Sequence, residues 1–222
     1  MNGNKALTRA SLRTPRAAAL AGILFSLSVF GAFWLLRAAV PADPTETGAW
    51  LNTSSRTVAL ALNLIPFSGV AFLWFIGVLR DRLGEREDRF FATVFLGSGL
   101  LFLGMLFVAA GVIGAIITAF AAAPNELINS PAFHLARAIA YNIANVYMMK
   151  MAAVFMISLS TVTLLTATVS RWLTFLGYAL ALFLLFGASY FDWAFLVFPL
   201  WVFMVSSFIL IENYIHAPER SR

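Results

Sequence analysis

The sequence predicts an all-α, polytopic integral membrane protein, a bundle of six transmembrane helices of which the third and fourth are long. Of its 222 residues, 61% are hydrophobic and 11% are charged, whereas soluble domains average about 45–50% and about 25%. Several apolar runs reach the roughly 20 residues that a helix needs to cross a hydrocarbon core of about 30 Å. The alternating segments of about ten residues that are typical of a membrane β-barrel are not visible.

The first predicted span follows a basic segment, residues 1–16, which contains four Lys or Arg residues and no acid. A basic segment before an apolar run also describes a cleaved signal peptide, and Val40–Ala42 offers small residues for cleavage. The apolar run 17–40 has 24 residues, however, against about 7–15 in the hydrophobic region of a signal peptide. We therefore favour an uncleaved first helix.

The distribution of basic residues orients the predicted spans. These cover about 17–40, 57–79, 90–121, 131–168, 172–189 and 193–212 and leave a tail at 214–222. If residue 1 is inside, the inner segments carry four basic residues before the first span, four in 80–89, one at 171 and two in the tail, against four on the outer side. Because Lys and Arg collect on the cytoplasmic side, we predict cytoplasmic termini in a plasma or inner membrane.

Residues 80–89, RDRLGEREDR, are the most charged segment, with four arginines and four acids. The arginines are Arg80, Arg82, Arg86 and Arg89. One interpretation is a hydrated cytoplasmic loop with local ion pairs, each worth about 0–1 kcal/mol. The alternative is a loop that docks a cytoplasmic partner.

Small residues recur in the third span, which belongs to an uncharged run of 34 residues. Gly97, Gly104, Gly111 and Thr118 are seven positions apart, and Ala115 follows Gly111 by four. A repeat of seven places such residues on one side of a helix, and small residues let membrane helices approach closely. We therefore predict a helix-packing seam, either within one subunit or between the subunits of a homo-oligomer.

The fourth span is the most polar, and it begins with Ser130 as the predicted N-cap and Pro131 at the first helical position. Candidates for a polar vestibule or pathway are Arg137, Tyr141, Asn142, Asn145 and Lys150, together with Asn63 beside Pro66 in the second span. At about 100° per residue, His134 and Arg137 share one stripe with Tyr141 and Asn145. Lys150 points almost opposite.

Two placements of the fourth span are open. If the helix ends near Thr168, Lys150 lies about 27 Å away, at the outer edge of the membrane core, and the polar stripe faces solvent. If the helix ends near Ser160, Lys150 lies near mid-membrane, where a charge usually marks a pathway. We favour the first placement.

The residue types and motifs disfavour an enzyme. There are no cysteines, so disulfides, thiolate metal sites and cysteine nucleophiles are excluded. His134 and His216 fall on opposite sides of the predicted membrane, and no HExxH or GxSxG motif is present. We therefore expect a non-enzymatic protein with no catalytic residues, no metal and no cofactor. The basic residues flank the spans, so nucleic acid is not an expected partner.

Three functions follow from these observations. The first is an oligomeric transport or permeation unit with an outer, anion-attracting vestibule. The second is a membrane scaffold whose 80–89 loop docks a partner. The third is a lipid-handling accessory protein, which requires an outer cavity that reaches Arg37, Arg56 and Arg137. In each case the lipid bilayer is the expected surrounding partner.

Overall fold

The computed structural model describes residues 14–41, 43, 45–83, 89–128, 130–166 and 170–215, which are almost entirely helical and contain no strand. The helices are α1 (Thr14–Ala39), α2 (Leu51–Leu83), α3 (Arg89–Ala122), α4 (Pro124–Leu127), α5 (Pro131–Asn142), α6 (Met149–Thr166), α7 (Arg171–Phe186) and α8 (Val197–Ile215). A π-helical segment, Ile143–Met148, joins α5 to α6. Short 3-10 turns occur at Gly48–Trp50, Ala188–Tyr190 and Ala194–Leu196.

Five helical stretches in the described part are long and apolar enough to cross a membrane. They are Ala17–Ala39, Gly48–Arg80, Ala92–Ala122, Pro131–Leu165 and Ala194–Glu212. Helix α7 has 16 residues, a length of about 24 Å. A helical protein with membrane-length apolar helices is therefore confirmed, whereas a sixth span formed by α7 stays a prediction. The predicted basic N-terminus and C-terminal tail lie almost entirely outside the described residues.

The outer surface of the bundle is strongly apolar. Large side chains such as Phe67, Trp74 and Leu165 are 72%, 67% and 69% exposed. Soluble monomers rarely expose contiguous apolar patches larger than a few hundred Å². The apolar helices therefore suggest a membrane-embedded protein.

Local sequence explains where α5 begins. The Ser130 Oγ accepts a hydrogen bond from the Phe133 N–H at 3.1 Å, and Pro131 stands in the first turn, as predicted. Upstream, residues 124–127, which lie between the third and fourth predicted spans, form the short α4. Downstream, the predicted continuous helix contains the π-helical segment.

The helices pack around an aromatic centre. Helix α1 contacts α2 and α8, α3 contacts α5 and α6, and α7 packs mainly against α6. The Phe72 ring lies 4.5 Å from Phe25, 5.4 Å from Phe102, 5.3 Å from Phe155 and 5.8 Å from Phe198, measured between centroids. All five side chains are fully buried, and each favourable ring pair adds about 0.5–1.5 kcal/mol beyond its burial. This Phe72 cluster fills the middle of the bundle.

The predicted glycine seam does not pack against other described parts of the chain. A Cβ atom added at Gly97, Gly104 or Gly111 would meet no described atom within 4 Å. Ala115 and Thr118 are exposed. Packing within one subunit is therefore not observed for this face, and packing between subunits stays a prediction.

Candidate ligand-binding cavity

A cavity of about 160 Å³ lies at one end of the bundle, beside the segment that joins α1 to α2 and the start of α8. We call it the loop-end cavity. Its walls are mostly apolar and include Phe33, Ile113 and Met148. The polar side chains in its wall, apart from the Trp50 indole, are those of Arg37, Arg137, Tyr141 and Asn145. An apolar pocket with a few convergent polar groups is the usual form of a small-molecule site.

The Phe72 cluster lies between the loop-end cavity and the opposite end of the bundle. Phe33 in the cavity wall is eight residues from Phe25 along α1, or about 12 Å. Met148 is seven residues from Phe155, or about 10 Å at a helical rise. The cavity is therefore separated from the other end by a fully buried aromatic layer.

Arg137 is the most connected polar residue at the cavity. Its guanidinium donates to three backbone carbonyls: Nη1 to Glu46 at 2.7 Å, and Nη2 to Pro41 at 2.9 Å and to Asp43 at 2.7 Å. Only 6% of the residue is exposed. Arg137 therefore fastens the α1–α2 loop to α5. It does not face solvent, which differs from the placement favoured by the helical pattern.

A second cation, Arg37, is neutralised by a carboxylate. Its Nη2 lies 2.7 Å from Asp192 Oδ1, and this ion pair links the end of α1 to the segment before α8. In contrast, no described carboxylate lies within 4 Å of Arg137. The Arg137 Cζ atom lies over the Trp50 ring, 5.9 Å from the ring centroid. The two cations of the cavity thus differ in how their charge is balanced.

The π-helical segment supplies one wall of the cavity. Asn145 and Met148 lie in this segment and Tyr141 just precedes it. Two side-chain amides reinforce its start: Asn142 donates to the Ala138 carbonyl at 2.9 Å, and Asn145 donates to that of Tyr141 at 3.0 Å. Single π turns within α-helices occur frequently at functional sites.

The α1–α2 loop, which Arg137 binds, is also held by hydrogen bonds between its own residues. The Asp43 carboxylate accepts hydrogen bonds from the Thr45 N–H at 2.8 Å and the Thr45 hydroxyl at 2.7 Å. These bonds, more than the nearby Arg137 charge, lower the pKa of Asp43 below its ordinary value.

The Trp50 indole nitrogen is buried and has no hydrogen-bond partner among the described residues. Such an orphan donor is unusual in a native structure.

Of the predicted fourth-span residues, Arg137, Tyr141 and Asn145 come together at the cavity. Asn142 and Lys150 do not line it; both are exposed on the outside of the bundle. Lys150 therefore cannot act on a ligand in this cavity in the observed conformation.

Other predicted residues lie elsewhere. Asn63 lines a groove of about 410 Å³ between α2 and α3, together with Pro66 and Gly111. Arg56 does not line the loop-end cavity. Arg80 is exposed, whereas the side chains of Arg82, Arg86 and Arg89 lie outside the described part of the chain.

Sequence reasoning did not assign Trp50 and Asp192 to this site. The sequence signal for Trp50 is its position within the predicted loop between the first two spans, because aromatic residues often lie at the membrane surface. Its contact with Arg137 joins residues far apart in the chain, so helical periodicity cannot reveal it.

Comparisons with protein-family models, with curated proteins and with solved structures give no match for this chain. Within the described residues, no group of three or more His, Cys, Asp or Glu side chains could hold a metal ion. The fold and site therefore define a class only: a helical protein with membrane-length apolar helices and a polar-edged cavity at one end.

Proposed function

We propose that this is an integral membrane protein that binds a small amphipathic molecule in the loop-end cavity and carries out no covalent chemistry. The observation that carries the proposal is the cavity itself. It places hydrogen-bonding groups of Tyr141 and Asn145 and two guanidinium groups in an otherwise apolar wall. A molecule with one apolar part and one polar part matches that division.

The cavity volume limits what it can enclose. An apolar cavity of about 150 Å³ can hold benzene, and the loop-end cavity measures about 160 Å³. The enclosed part of the ligand is therefore the size of one ring or a short branched chain. A lipid would fit only by inserting one end.

Binding agrees better with the interior of the bundle than permeation does. A path through one subunit would have to pass the Phe72 cluster, whose five rings are fully buried. Permeation therefore requires rearrangement of the cluster or passage between subunits, and we retain it as the second candidate. A scaffold role for the 80–89 loop has no described side chain beyond Arg80 to support it.

The proposal places the loop-end cavity on the outer side of a plasma or inner membrane. The Lys and Arg content of the segments predicted at the other end supports this orientation, because cytoplasmic segments are enriched in Lys and Arg. A lipid-handling role required an outer cavity reaching Arg37, Arg56 and Arg137, and the cavity reaches the first and third of these.

The test is binding of benzyl alcohol, a neutral amphiphile with one ring, to the protein in phosphatidylcholine nanodiscs. Equilibrium dialysis against empty nanodiscs separates binding from partitioning into lipid. We expect saturable binding to the wild type, loss of binding in Ala144→Phe, which fills the cavity wall, and retention in Ala115→Phe, which alters an exposed position. Uptake by the wild type equal to that by empty nanodiscs contradicts the proposal.

A further inference from the structure

We infer that the natural ligand of the loop-end cavity carries an anionic group, a carboxylate or a phosphate, and that Arg137 binds this group. The inference rests on the proposed binding function and names its substrate class. The observation behind it is the position of Arg137. This charged residue lines the cavity and is only 6% exposed. Buried charges in proteins are normally paired with an opposite charge, because desolvation of an isolated ion is unfavourable.

No side chain of the described protein provides that opposite charge at contact distance. The nearest acids, Asp43 and Glu46, contact Arg137 only through their backbone carbonyls, and their carboxylates act on its charge from beyond 4 Å. Their side chains are exposed, and the Asp43 carboxylate is engaged by Thr45. The loop thus satisfies hydrogen bonds of the guanidinium with neutral oxygens and leaves its charge without a contacting anion.

Arg137 has donors left for a ligand. A guanidinium has five N–H groups, and the three hydrogen bonds to carbonyls use three of its hydrogens. The Cζ atom of the guanidinium lies over the Trp50 ring, 5.9 Å from the ring centroid. The remaining donors and the apolar wall together fit an anion attached to a small apolar body.

Arg37 provides the internal comparison. It lines the same cavity, but its guanidinium already contacts Asp192 at 2.7 Å. An incoming anion therefore gains less from Arg37, since that charge is balanced before the ligand arrives. Of the two cations, Arg137 is the one that distinguishes an anionic ligand from a neutral ligand of equal size.

The experiment compares phenylacetate with phenylacetamide, two probes of equal shape that differ in charge. Equilibrium dialysis with wild-type protein in phosphatidylcholine nanodiscs, corrected with empty nanodiscs, should give a Kd about tenfold or more lower for phenylacetate, because hydrogen bonds to charged groups are stronger than neutral ones. The comparison uses only the wild type, so it does not depend on whether a variant folds. Equal Kd values for the two probes overturn the inference while the binding function stands. If phenylacetamide and benzyl alcohol both fail to bind, the binding function itself is contradicted.

Variants assign the preference to one cation. Arg37→Gln should keep the preference for phenylacetate, and Arg137→Gln should abolish it. Loss of the preference in Arg37→Gln with retention in Arg137→Gln overturns the assignment to Arg137. If Arg137→Gln does not fold, Arg137→Lys, which keeps the charge, should keep part of the preference, and a complete loss there counts against recognition of charge.

A second lipid composition identifies the source of the anion. In nanodiscs that contain phosphatidylglycerol, a phosphate head group that occupies the site would weaken phenylacetate binding to the wild type by competition. Unchanged binding would indicate a free carboxylate or phosphate compound instead. Both results retain an anionic ligand, whereas phenylacetamide binding as tightly as phenylacetate in both lipids rejects it.

Discussion

At the scale of single residues, Arg137 has a structural role as well as the proposed binding role. It ties three carbonyls of the α1–α2 loop to α5, and the loop contributes Pro41 to the cavity wall. The cavity therefore depends on a contact that spans more than 90 positions of the chain. Any change to the guanidinium should alter the loop first.

We predict that Arg137→Gln lowers the free energy of unfolding by about 2–4 kcal/mol, because hydrogen bonds to charged groups contribute about 1.5–3 kcal/mol each and the amide can replace only some of them. Hydrogen exchange at residues 45–48 should accelerate at the same time. Arg37→Gln is the control: its partner Asp192 is 68% exposed, and such surface ion pairs contribute about 0–1 kcal/mol. Equal losses in the two variants would contradict a special role for Arg137.

A pH prediction follows from Asp43. Its folded pKa lies below the ordinary value of 3.8, so the stabilisation is complete above that ordinary value and is lost as the pH falls through the folded pKa. Hydrogen exchange of the Thr45 amide, corrected for its intrinsic pH dependence, should be flat above about pH 5 and should accelerate in more acidic solution. Asp43→Asn should not show the acid-dependent step. A step near neutral pH would disagree with this assignment.

At the scale of elements, the helices followed from the sequence more fully than the site did. Composition and apolar run length predicted the membrane-length helices, and Ser130 marked the start of α5. The π-helical segment was not predictable, because the pattern of IANVYM does not differ from an α-helical one. Helical periodicity grouped Arg137 with Tyr141 and Asn145, but it could not decide whether their stripe faced solvent or a cavity. That outcome depends on the loop which covers Arg137.

Two glycines of α3 give a matched test of which helix face is packed. Gly104→Ala should be neutral or stabilising by up to about 1 kcal/mol, since Gly is a poor helix former and no described atom lies within 4 Å of the new methyl group. Gly99→Ala should destabilise by about 1–3 kcal/mol, because its Cβ would lie 2.7 Å from Ile76 Cδ1 and 3.1 Å from the Phe155 ring. Thermal unfolding in detergent measures both. If Gly104→Ala lowers the stability and Gly99→Ala does not, the face of α3 that carries Gly104 is the packed face.

At the scale of the whole molecule, the number of membrane crossings depends on whether α7 crosses the membrane. Helix α7 alone is short for a span, with 16 residues. The Arg37–Asp192 ion pair, however, brings the segment after α7 to the end of the bundle that holds the loop-end cavity. Helix α6 leads from Met149, next to the cavity-lining Met148, toward the other end. The path from Ser170 to Asp192 therefore supports a sixth crossing.

The absence of native cysteine makes this crossing directly measurable, since each introduced cysteine is the single reactive thiol of the chain. We predict that Ala49→Cys and Asp192→Cys react with a membrane-impermeant maleimide added outside intact cells. Ser170→Cys should react only after the membrane is opened. Ala49, Asp192 and Ser170 are at least partly exposed in the bundle, so burial within the protein does not explain a missing reaction. If Ser170→Cys and Asp192→Cys react from the same side, α7 does not cross the membrane and the six-span topology is wrong. If Ala49→Cys reacts only from the cytoplasmic side, the loop-end cavity faces inward, and its ligand has to be sought among cytoplasmic anions.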